Sequence, residues 1–156
     1  LKNFFFNFVT KTRLMNIEET TSSIVSEFDN FDDWMDKYNY LIELGKSLPL
    51  IDDKYKVESN LIEGCQSRVW LHAEFDGHLI HFTADSDAVI TKGIANLLIR
   101  TYSEHTPQEI LDSSTEFLNE IGLTQHLSPT RSNGLLSMIK QIKMYALAFK
   151  TKQAME

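Results

Sequence analysis

One cysteine, Cys65, stands in the stretch LIEGCQSRVWL (61–71), directly after Gly64 and just before a segment that alternates like a strand. A single thiol excludes an intrachain disulfide, and it excludes a cysteine-rich zinc or iron–sulfur site built by one chain. What remains is either a reactive thiol or an inert one. The inert reading is ordinary, because lone cysteines are often buried as small apolar residues. The neighbours favour chemistry. Gly64 relieves steric restriction and lets another molecule approach the backbone closely. Arg68, three residues on, can stabilise a thiolate. An isolated thiol also suits a reducing compartment, which makes the cytoplasm the expected location.

Arg131 is the second residue of interest. It follows Ser128-Pro129, a helix-opening pair, and so falls in a first turn where the helix dipole disfavours a cation. Such a placement can mark a binding role, although an arginine reaching into solvent is the plain alternative. A cysteine hydrolase would need a histidine base, with His72 or His126 as candidates. All five histidines also read as strand-face, loop or helix-end residues. A non-catalytic adaptor with a structural cysteine is the third possibility. No His and Cys cluster has metal-ligand spacing, and no phosphate-binding glycine loop occurs.

The elements that must position these residues can be traced along the chain. Residues 17–28 suit a short helix broken at Asp29-Asn30. Phe31, Trp34, Tyr38, Leu41, Ile42 and Gly45 then form one helical stripe, with Asp32 and Asp33 at its positive end and Gly45 and Pro49 at its stop. Residues 50–60 are polar and read as a loop, with a short extended piece at 60–62. Val69, Leu71, Ala73 and Phe75 alternate with polar or amphipathic neighbours, predicting a strand with one covered face. Asp76-Gly77 predicts a two-residue hairpin turn, whose positions can both need positive φ, and Ile80, Phe82 and Ala84 continue the inward face. Ser86 is the expected N-cap of a largely buried helix over 87–102, with Asp87 in its first turn. Gly93 within it suggests close packing against the sheet. Thr106-Pro107-Gln108-Glu109 is a capping box with proline at the first helical position. A short helix over 115–121 stops at Gly122. Ser128-Pro129 opens the last helix, whose inward stripe is Leu135, Met138, Ile142, Tyr145 and Phe149. The order is an α+β domain with a small antiparallel sheet packed against several helices.

Composition bounds the function further. The chain has 156 residues and a formal charge of −7. Residues 1–14 carry Lys2, Lys11 and Arg13 without an acid, so the acidic excess lies in the rest. Such a surface repels nucleic-acid backbones and suits a partner with a basic patch. No apolar run reaches the roughly 20 residues a membrane span requires. Residues 1–14 are read as an N-terminal extension, with Met15 a plausible start, and 15–156 as one domain.

The stretches GCQSRVW (64–70), SDAVITKG (86–93), TPQEI (106–110) and LTQHLSPTRSNGL (123–135) together, in this order, resemble the SufE family. YLIELGKSLP (40–49) resembles its N-terminal helix. The similarity runs from about Phe31 to Phe149. It implies a fold shared with IscU-type scaffold proteins and a sulfur acceptor for a cysteine desulfurase in iron–sulfur cluster assembly. The pyridoxal phosphate of that system sits on the SufS-type or Csd-type desulfurase, so no cofactor is expected here. Downstream scaffold proteins are the further partners. By the resemblance Cys65 is the acceptor, while Asp87, Arg131, Gly64, Gln66 and Arg68 belong to the partner-facing site. Arg68 stands where the family pattern leads one to expect a second glutamine. A resting thiol shielded by the apolar flanks 61–62 and 69–70, swinging out on docking, completes the expectation.

Overall fold

The computed structural model describes residues 15–156; the extension read at 1–14 lies outside them. Helix α1 (Ile17–Phe28) starts where the Asn16 side chain accepts the Glu19 N–H at 2.7 Å, with Glu18 and Glu19 against the positive helix end. Helix α2 (Trp34–Gly45) is capped in the same way by Asp33 on Asp36 N–H. Phe31 therefore lies ahead of the helix and does not start it. Arg100 bonds Glu27 at 2.6 Å and Tyr40 donates to Glu27, tying α1 and α2 to the helix that follows the sheet.

Strands β1 (Val69–Phe75) and β2 (Ile80–Ser86) pair antiparallel, from Val69 opposite Ser86 to Phe75 opposite Ile80. The alternation read from sequence places Val69, Leu71, Ala73, Ile80, Phe82 and Ala84 on the buried face. The turn differs from the expected two-residue form. It spans four residues, because the Asp76 side chain accepts N–H groups of His78 and Leu79, and only Gly77 takes positive φ. Both sheet edges are covered. Leu61 bridges Trp70 on one side and Leu50 bridges Ala84 on the other. The segment before Leu61 also covers the outer face, where Tyr55 stacks on His72 and Lys56 sits over Trp70.

Helix α3 (Val89–Tyr102) begins two residues later than expected. Ser86 is still paired in β2, and the N-cap position falls to Ala88, which offers no side-chain acceptor. Gly93 packs against α2 instead of the sheet: a Cβ there would collide with the Leu41 carbonyl, and one on Gly45 would come within 2.8 Å of Gly93 N. Helix α4 (Pro107–Asp112) carries the full capping box of Thr106 and Glu109. Helix α5 (Glu116–Glu120) ends before Gly122 at φ 87°, and a one-turn helix α6 (Leu123–His126), not read from sequence, follows. Helix α7 (Pro129–Ala154) opens at Ser128 and buries Leu135, Met138 and Ile142, leaving Tyr145 and Phe149 half-covered. The core sits where the inner sheet face, α3 and α7 meet, and one end of that junction carries the thiol.

Candidate functional site

Two buried residues, Ile62 and Val69, pin the ends of the loop that carries Cys65; Ile62 N–H bonds Val69 O at 2.9 Å. Between them the chain has no regular structure. Gly64 turns it through φ 87°, the left-handed region, and a Cβ there would stand 2.9 Å from Ser137 Oγ on α7. The far end is held by a reciprocal pair. Arg68 N–H donates to Asp87 Oδ1 at 3.0 Å, and Asp87 N–H donates back to Arg68 O at 3.3 Å. Ser86 Oγ adds a bond to the same carbonyl at 2.7 Å.

Held in this way, Cys65 leans on α7 at Gly134. Its Sγ lies 3.7 Å from Gly134 O, and a Cβ on that glycine would sit 3.3 Å from the sulfur. Gly134 is thus the recess that admits the thiol. The sulfur faces a pocket of about 390 Å³. Its walls come from the loop (Cys65, Gln66), the turn into α3 and its first helical residues (Asp87, Thr91) and the start of α7 (Arg131, Gly134). Two helix N-termini therefore open onto one cavity, and both favour an anion in it.

The thiol is half-buried, and burial pushes its pKa up. This corrects the expectation for Arg68. Its backbone anchors the loop, whereas its side chain is exposed and does not line the pocket. Arg131 does line it, half-buried, and its guanidinium donates to Tyr38 OH at 2.8 Å across the gap to α2. Of the six residues singled out, Cys65, Gln66, Asp87 and Arg131 converge on the pocket, while Gly64 and Arg68 shape the loop. The cover over the thiol is the wall of α7, with the apolar flanks serving as anchors. Sequence reasoning missed Gly134 and Tyr38. Glycine inside a helical pattern was the available signal for the first; Tyr38 read as one more member of a core stripe.

Neither histidine suggested as a base reaches this pocket. His72 stacks on Tyr55 and bonds Glu74, and His126 stacks on Trp34. Among the described residues, no group of three His, Cys, Asp or Glu side chains is arranged to hold a metal ion, and no helix is long and apolar enough to cross a membrane.

Residues 22–146, which include the whole pocket, match the model of the SufE family, described as an Fe-S metabolism associated domain. The chain belongs to the SufE family. An uncharacterized SufE-like protein of Rhizobium etli is 41% identical over 126 residues, covering 77% of this chain and 84% of that protein. The chloroplastic/mitochondrial SufE-like protein 1 of Arabidopsis thaliana is 41% identical over 130 residues, covering 83% of this chain but 35% of that longer protein. The solution structure of a hypothetical protein from Thermus thermophilus shares the fold, with a TM-score of 0.70 at 19% identity over 85% of this chain and 96% of that one. SufE membership ties the chain to iron–sulfur metabolism and fixes its α+β architecture.

Proposed function

We propose that this SufE-family protein accepts sulfur on Cys65 from a cysteine desulfurase, stimulating that enzyme and passing the sulfur toward iron–sulfur cluster assembly. The observation that carries the reading is one thiol, on a short loop, facing a cavity into which two helix N-termini and an arginine open. A SufS-type or Csd-type desulfurase is the partner and carries the pyridoxal phosphate; iron–sulfur scaffold proteins are the recipients. A reducing compartment, the cytoplasm in the simplest case, keeps the thiol available.

The transfer balances without an added oxidant. The Cys65 thiolate attacks the outer sulfur of the partner's persulfide. A new sulfur–sulfur bond forms to Cys65, the bond to the partner's cysteine breaks, and its electron pair leaves as the partner's thiolate. The proton given up by Cys65 is available to that thiolate. The product is a persulfide on Cys65, a reversible cap. With one cysteine in the chain, the chain itself offers no second thiol to attack the persulfide and release sulfide.

At rest the burial that raises the thiol pKa keeps the sulfur protonated and weakly nucleophilic. Docking must therefore move the loop from Gly134 or bring charge to it. Only the pinned ends need persist, since the intervening residues have no ladder to break. Gln66, Asp87 and Arg131 form the partner-facing wall. Cys65→Ser is the direct test: alanine production by a desulfurase should rise with the wild-type protein and not with the variant. Equal stimulation by both would remove the acceptor role.

A further inference from the structure

Arg131 is an unusual cation. It occupies the third residue of α7, where the positive helix end opposes its charge. No ion pair among the described residues includes it. Its side-chain partner is instead a neutral hydroxyl, Tyr38 OH at 2.8 Å, 93 positions away in sequence. Tyr38 is itself braced. Trp34, one turn earlier on α2, meets its ring edge-on at 6.5 Å and stacks on His126 at 4.8 Å. Two contacts thus fasten the first half of α2 to the α6–α7 corner beside the pocket.

We propose that Tyr38 is a positioning residue, holding the Arg131 guanidinium in the pocket wall without neutralising it, so that the cation meets the persulfide anion carried on Cys65. This inference rests on the sulfur-acceptor reading and adds a residue to it. A carboxylate in place of Tyr38 would cancel the charge, and no partner at all would let the long side chain drift into solvent. A hydroxyl does neither. It accepts one N–H and leaves the remaining guanidinium donors available. The charged side chains lining the pocket are Arg131 and Asp87, and Asp87 is occupied by Arg68 N–H. Cys65 and Arg131 line the same space, so a sulfane sulfur added to Sγ has room to enter it, and the loaded state then has more use for the cation than the empty one.

The test loads Cys65 chemically, so it does not depend on a desulfurase. The thiol is converted to a mixed disulfide with thionitrobenzoate; hydrosulfide then attacks the Cys65 sulfur and expels the aromatic thiolate, leaving the persulfide. Its ionisation is followed by the pH dependence of alkylation in wild type, Tyr38→Phe, Arg131→Met and the double variant. Tyr38→Phe should weaken persulfide acidity by about threefold to tenfold, for loss of a hydrogen bond that orients a charge, and Arg131→Met, which removes the charge, should weaken it by at least as much. The double variant should match Arg131→Met alone. An unchanged midpoint in Tyr38→Phe overturns the proposal, and so does a Tyr38→Phe shift that persists undiminished in the Arg131→Met background. Failure of a desulfurase to load the wild-type protein would instead remove the acceptor role and leave these midpoints as measured.

Discussion

Gly64→Ala isolates the turn that aims the thiol. Two costs can be worked from the geometry. At φ 87° a Cβ meets its own backbone, at about 1–2 kcal/mol. The same Cβ would stand 2.9 Å from Ser137 Oγ, the mobile end of a small side chain, so relief by rotation costs at most about 1 kcal/mol more. The sum, roughly 1–3 kcal/mol, is measurable by urea denaturation, and each kcal/mol should lower the melting temperature by about 2–4 °C at this chain length. Adding Ser137→Ala should recover only the steric share. Because the turn sets the direction of Cys65, alkylation of the thiol should change in the same variant. A Gly64→Ala protein within about 0.5 kcal/mol of wild type would show that the turn does not require glycine, for that is the scatter of an ordinary surface change. Full rescue by Ser137→Ala would refute it too, by showing that the left-handed backbone costs nothing.

Two more outcomes follow from the same structure. Gly134→Ala places a methyl 3.3 Å from Cys65 Sγ, so the sulfur must move a few tenths of an ångström out of its recess. Moving the thiol toward solvent relieves part of the burial that raises its pKa, so alkylation at neutral pH should quicken, while helix propensity offsets any loss of stability. His81 bonds Asp76 and Glu104 through its two ring nitrogens, and the Asp76 bond chiefly raises its pKa. A raised folded-state pKa means the contribution is complete below the ordinary histidine value near 6.5 and fades as pH climbs through the folded value. His81→Gln should therefore cost more stability at pH 6 than at pH 9, a contrast that thermal melts at the two pH values would reveal.

The elements most legible in sequence were those whose signals are local. The Thr106–Glu109 capping box, the Ser128-Pro129 opening and the alternation from Val69 each depend on residues within a few positions. Local signals misled where a tertiary partner competed. Ser86 has the chemistry of an N-cap, yet pairing with Val69 and bonding to Arg68 O keep it in the strand. Asp76-Gly77 suggested a tight turn, but the Asp76 carboxylate found two N–H donors in a wider one. Gly93 advertised close packing without naming its partner, which is α2. The same division holds at the site. Cys65, Asp87 and Arg131 stand in the stretches that resemble the SufE family, and the structure brings all three to one pocket. Gly134 meets Cys65 across 69 residues and Tyr38 meets Arg131 across 93, and no pattern in one segment encodes such pairs.

Sulfur transfer to Cys65 can be read by weighing the intact protein after incubation with free cysteine and a desulfurase. Sulfur acceptance on Cys65 predicts a gain of whole sulfur atoms, removed by reductant and confined to the peptide that contains Cys65. An unchanged mass, or added sulfur on a peptide lacking Cys65, would contradict it.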